Sequence, residues 1–174
     1  MSGEGRGLAD EQVDGPVVRY VLDVDGYRVD EGDSMLAFDE YADAVRAGGY
    51  CEGAVVVEVP GASLALEDAV PSLVTHLCFG ALDALADDRA VTVPFFLTGV
   101  DVVASVRDDE VWLELATGGE VHADKRATLR ALYECGERFT AFHARLWAGH
   151  PERAGEVANL EAARVAAASV LTRV

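Results

Sequence analysis

Between Val91 and Leu115 the chain reads VTVPFFLTGVDVVASVRDDEVWLEL. β-Branched and aromatic residues dominate it, with polar breaks every few positions. It therefore reads as three short strands in quick succession, Val91–Leu97, Val102–Val106 and Glu110–Leu115. In the third, Val111, Leu113 and Leu115 point one way while Trp112 and Glu114 point the other. Asp108-Asp109 is the turn between the last two. Connections this short admit only antiparallel neighbours, because a parallel pair needs a long crossover. Pro94 has no N–H to give to a ladder, which places its strand at a sheet edge or a bulge.

The same reading extends to both sides. After Pro16, the residues Val18, Tyr20, Leu22 and Val24 alternate with Arg19 and Asp23. Asp25-Gly26 then turns the chain into Tyr27-Arg28-Val29, which makes a β-hairpin. Asp30 to Ser34 reads as an acidic loop. A short helix is expected over 37–47, with Phe38, Tyr41, Ala42 and Val45 on one face and Gly48-Gly49 ending it. Ala54 to Val59 reads as a central strand closed by Pro60-Gly61. Asp68 to Ala86 reads as a helix covered on more than one side, since Cys78, Phe79 and Leu82 widen the stripe Val70, Leu73, Val74, Leu77, Ala81 and Leu85.

Two helices close the chain. One is expected from Asp124 to Trp147, with Asp124 as N-cap and Gly136 on its apolar face, where another element packs closely. The other is Ala-rich and covers roughly 152–173. The expected fold is an α+β two-layer sandwich, a mostly antiparallel sheet of five to six strands with helices packed on one face. The expected organisation is a flexible acidic tail over 1–15 followed by a single α+β domain over 16–174.

Composition narrows the functions. The 174 residues carry a formal net charge of −17 and are 51% hydrophobic. Such a field repels phosphate backbones, so no nucleic-acid partner is expected. No apolar run reaches the length of a membrane span, so no membrane partner is expected either. The opening MSGEGRGLADEQVDGP has no apolar core of a signal peptide, which makes the cytoplasm the expected compartment. The three cysteines, Cys51, Cys78 and Cys135, have neither CxxC spacing nor an even count, and each lies beside apolar residues. They read as buried thiols.

Only Lys125 is a lysine among the 14 basic residues. A GC-rich genome or life in high salt accounts for scarce lysine, and salt also lets a chain tolerate a large negative charge. The acidic excess is equally a docking face for a basic partner. Asp30, Glu31, Asp33, Asp39, Glu40 and Asp43 fall close together, in a spacing unlike that of an EF-hand loop. They are the candidate partner-binding residues, with Tyr41 and Trp112 as aromatic anchors. A small acidic chain of this class is similar in general character to many bacterial toxin-immunity proteins. The expected function is thus a protein-binding module, an immunity or inhibitor protein that occludes a basic toxin or enzyme. It needs no cofactor and offers no metal site. His143, on an apolar helix face with Phe139 and Trp147, reads as a hydrogen-bonded core histidine.

Two alternatives stay open. Tyr20-Val21-Leu22-Asp23-Val24-Asp25-Gly26 resembles the first motif of haloacid-dehalogenase-type phosphatases. That resemblance implies a Mg²⁺-dependent phosphohydrolase on a parallel sheet, with Asp23 as nucleophile, Asp25 as acid/base, Thr98 on the phosphate and Lys125 as the basic residue. Asp-Gly between alternating runs is equally what a plain hairpin requires, and Tyr27 stands where the family usually has Thr or Val. The second alternative is a structural homodimer subunit, with the Pro94 strand and the Ala-rich helix as the seam.

Overall fold

Strand β1 (Val17–Val24) alternates as its sequence requires, with Val18, Tyr20, Leu22 and Val24 buried and Arg19 and Asp23 on the other face. It turns through Asp25 and Gly26, at φ 50° and 81°, into β2 (Tyr27–Asp30). Two central residues at positive φ make the tight turn whose twist matches that of the flanking strands. On its other edge β1 pairs with β3 (Glu52–Val59), and β3 pairs with β4 (Ala62–Ala69) across Pro60-Gly61. The computed structural model describes residues 15–174, so the acidic tail expected over 1–15 lies, Gly15 apart, outside the described residues.

The second sheet is the meander expected from the Val91–Leu115 stretch. It comprises β5 (Val91–Pro94), β6 (Asp101–Arg107), β7 (Glu110–Leu115) and β8 (Glu120–Asp124), paired in that order. Pro94 ends β5 at the sheet edge. Asp108 and Asp109 turn β6 into β7 with φ 52° and 64°.

The class is α+β and every strand pair is antiparallel, but the expected single sheet of five to six strands is corrected. Eight strands form two four-stranded sheets, β2-β1-β3-β4 and β5-β6-β7-β8. Two strands account for the difference. β4 reads ASLALEDA, and its alternation of buried Leu64, Leu66 and Asp68 with exposed Ser63, Ala65 and Glu67 has too few apolar residues to stand out. It takes Asp68 and Ala69 from the start of the expected helix. β8 is five residues long and buries only Val121. A third correction falls at the acidic loop, where residues 31–36 wind into the short helix α1 (Glu31–Leu36).

Helix α2 (Phe38–Gly48) buries Phe38, Ala42 and Val45 and ends on Gly49 in the left-handed region. The long buried stretch begins as α3 (Val70–Leu73), widens into π-helical winding over Val74–Gly80, and tightens again as α4 (Leu82–Ala86). Helix α5 (Lys125–Leu146) starts where expected, with the Asp124 carboxylate accepting the N–H of Ala127. It packs on β1 of the first sheet and on β7 and β8 of the second, so one apolar core joins both sheets. A Cβ on Gly136 would lie 2.5 Å from the Phe79 ring, which is the close approach that the glycine predicts. Helix α6 (Ala154–Leu171) lies against α5 and the π-helical turn, burying Leu160, Ala167 and Val170.

Candidate functional site

The six acidic residues singled out in the sequence lie along β2, α1 and α2, but they are not equivalent. Asp30 pairs with Arg19 on the outer face of the first sheet. Glu31 accepts from Arg138 of α5 at 2.8 Å and from the Tyr20 N–H at 3.3 Å, and its carbonyl takes the Ser34 hydroxyl. These two carboxylates tie α1 to β1 and α5. Asp33, Asp39, Glu40 and Asp43 are exposed instead. The side chains of Asp39 and Asp43 are 97% and 88% exposed, with Arg145 at 3.8 Å from one and Arg46 at 3.0 Å from the other. Asp33 and Glu40 have no ion pair among the described residues.

The two aromatic residues do not share one surface. Tyr41 is half-buried on α2 beside these acids, packed against the core. Trp112 sits on β7 in the other sheet, stacked on His122 at 4.1 Å with the Arg107 guanidinium over its ring. The structure therefore separates Trp112 from the α1–α2 cluster.

A second feature was not singled out in the sequence. Where α2 ends, Tyr50 borders a cleft of about 490 Å³ that runs between the α3–π segment, the loop after β5 and the start of α6. His76, Phe96 and Leu97 complete its rim, and buried Trp147 and Leu160 form its walls. Tyr50, Phe96 and Leu97 are 68%, 65% and 58% exposed. Large apolar side chains grouped in the open are what marks an interaction site, whereas scattered ones need no explanation.

The cleft is held by polar contacts behind it. The buried Asp68 carboxylate, 3% exposed, accepts the N–H of Leu97 at 3.2 Å and that of Ala69. A polar group this deep is costly unless hydrogen-bonded, and here backbone N–H groups supply the bonds and set the loop. Arg153 lies over the Trp147 ring, donates to the Gly49 carbonyl at 2.7 Å and pairs with Glu156 at 3.1 Å. Glu156 also accepts from His143, which is fully buried as its place on the apolar face of α5 predicts. Arg46 donates to the Leu146 carbonyl, so α2, the end of α5 and the start of α6 are bolted together.

The cysteine that lines this cleft, Cys51, is not activated. Burial pushes the Cys51 thiol up to about 12, with Glu156 adding to the shift and Arg153 opposing it. A thiol so shifted is protonated at neutral pH and unreactive. Asp23 pairs with Arg28 at 3.5 Å, and Asp25 occupies the hairpin turn. Lys125 donates to the Ala86 carbonyl and to Asp88. The antiparallel sheets differ from the parallel sheet that the phosphatase resemblance implies. Among the described residues no three His, Cys, Asp or Glu side chains group as metal ligands, and no helix is long and apolar enough to cross a membrane.

No protein-family model, curated protein or solved structure matches this chain.

Proposed function

We propose that this chain is a protein-binding module whose α1–α2 face meets a basic partner, in the manner of an immunity or inhibitor protein occluding a basic toxin or enzyme. One contrast carries the reading. Every described cation except Arg126 and Arg130 lies in an ion pair. Asp33 and Glu40 meanwhile have no ion pair among the described residues, and the Asp39 and Asp43 side chains stay 97% and 88% exposed beside Arg145 and Arg46. Surface pairs contribute little to stability, so the exposed carboxylates owe little to the fold. A locally negative face accelerates encounter with a positive one and rejects like-charged competitors.

The test is affinity capture with the purified chain, followed by association kinetics on the captured partner. The expected result is a one-to-one complex whose association rate falls with added salt. Combined Asp39→Arg, Glu40→Arg and Asp43→Arg substitution is expected to slow association by about tenfold or more. A tight complex indifferent to that triple reversal overturns the proposal.

A further inference from the structure

We infer that α1 is an outward-facing anchor, which presents Met35 and Leu36 to an apolar patch bordered by Lys or Arg on the basic partner. The inference rests on the partner-binding reading above and deepens it, by naming the apolar contact within the acidic segment.

The helix is turned inside out. A surface helix ordinarily faces its apolar residues to the core and its polar ones to water. Here the one buried residue of α1 is Ser34, while Met35 is 40% and Leu36 is 88% exposed. No other large apolar side chain among the described residues is as open as Leu36. The neighbouring α2 has the ordinary orientation, with Phe38, Ala42 and Val45 buried. A single exposed leucine is common on any protein. A leucine and a methionine set outward while a serine is taken inward is a different arrangement.

Polar contacts hold that orientation. The Ser34 hydroxyl donates to the Glu31 carbonyl at 2.9 Å and lies 3.4 Å from the Tyr20 hydroxyl. The Glu31 carboxylate accepts from Arg138 and from the Tyr20 N–H, and Arg138 also donates to the Val18 carbonyl at 2.7 Å. Rolling α1 over to cover Leu36 would break these bonds and leave buried polar groups unpaired. The two apolar side chains are therefore held outward before binding, and a preset contact loses less entropy when its partner arrives.

Charge selects the kind of patch. From Val29 to Val45 the chain carries six acids and no Lys or Arg. Four of the six have an arginine from elsewhere in reach, Asp30 with Arg19, Glu31 with Arg138, Asp39 with Arg145 and Asp43 with Arg46. The other two, Asp33 and Glu40, are exposed and stand three residues before Leu36 and four residues after it. Asp33 and Leu36 are three apart in one helix and so share a face. A partner patch with an apolar centre and a basic border satisfies both the leucine and the unpaired carboxylates, whereas an acidic border is repelled.

Three labelled, end-blocked peptides serve as probes: KLLKKLLKKLLKKLLK, whose leucines line one side of a helix, KAAKKAAKKAAKKAAK, equal to it in charge, and ELLEELLEELLEELLE, equal to it in leucines. Their binding to the full chain is read by fluorescence anisotropy at low ionic strength. The Lys–Leu peptide is expected to bind about tenfold tighter than the Lys–Ala peptide, and the Glu–Leu peptide not at all. Leu36→Ser is expected to abolish that advantage and Leu36→Ala to reduce it. Val165→Ser, at another exposed apolar position, is expected to leave it intact. Circular dichroism reports whether each variant is folded.

The outcomes separate the anchor from the charge. Equal binding of the two Lys peptides to the wild type overturns the anchor and leaves the acidic face standing. A leucine advantage that survives in folded Leu36→Ser, or that falls as far in Val165→Ser, places the apolar contact elsewhere and overturns the inference. Equal binding of the Glu–Leu and Lys–Leu peptides, lost in Leu36→Ser, upholds the anchor but overturns its basic border. The absence of binding by both Lys peptides overturns the basic-partner reading and this inference together.

Discussion

His143 in α5 and Glu156 in α6 share one hydrogen bond, Nε2 to Oε1 at 3.0 Å. A carboxylate only accepts, so Nε2 carries the proton and the neutral ring is bare at Nδ1. That second nitrogen is buried with no partner among the described residues. Burial is the main cause that lowers the imidazole below its ordinary 6.5, Arg153 lowers it further, and Glu156 opposes both. The unfolded chain therefore takes up this proton more readily than the folded one.

The sign of the pH dependence follows. A depressed histidine contributes stability that is fully present above about pH 6.5 and is lost as pH falls through the folded value. Urea denaturation is expected to show the midpoint falling between about pH 7 and pH 5. His143→Gln is expected to flatten that fall. An equal pH dependence in the variant would show that other groups cause it.

Gly136 offers a steric test. Alanine is favoured over glycine in a helix by about 1 kcal/mol, but here its methyl would meet the Phe79 ring at 2.5 Å. Overpacking a filled core costs about 1–3 kcal/mol. Gly136→Ala is therefore expected to lower stability, and Phe79→Leu to cost less in that background than in the wild type. Chemical denaturation of the four proteins in this cycle measures the coupling. Strict additivity would mean that the contact is not tight.

Asp68 ties the loop after β5 to the rest of the protein. Asp68→Ala leaves the Leu97 and Ala69 N–H groups without their acceptor, at a cost of about 1–3 kcal/mol. Faster hydrogen exchange at the Leu97 amide and easier proteolysis between Phe95 and Val100 are the expected signs. Asp68→Asn keeps an acceptor oxygen and is expected to lie between the wild type and the alanine variant.

The thiols give a chemical readout of the core. Cys51 is 3% exposed and Cys78 and Cys135 are 0% exposed. The neighbouring Cys135 thiol and burial raise the Cys78 thiol well above its ordinary value. A thiol reagent such as DTNB is expected to titrate none of them in the native protein and all three once denaturant is added. Rapid reaction of any one in the native state would contradict the packing described.

Much of this was legible locally. Alternation in β1 and β7 assigned their buried faces, because each strand residue points opposite to the last. Asp25-Gly26 and Asp108-Asp109 declared their turns, Asp124 its helix start, and Gly136 the approach of another element. The corrections fall where local signals are thin. Leu64 and Leu66 are too few to announce β4, and β8 buries a single valine. Nothing between Asp30 and Ser34 distinguished a helical turn from a loop.

The cleft was not legible at all, since Tyr50, His76, Phe96 and Trp147 are far apart along the chain. What the sequence by itself determined is class, turn positions and the faces of its best-patterned elements, because those depend on periods of two and 3.6 residues read within one segment. The partition of eight strands into two sheets, the loop hung on Asp68, the His143–Glu156 contact and the cleft depend on which segments meet. Long-range pairing is chosen by the fit of whole faces, and no period within a single segment encodes it.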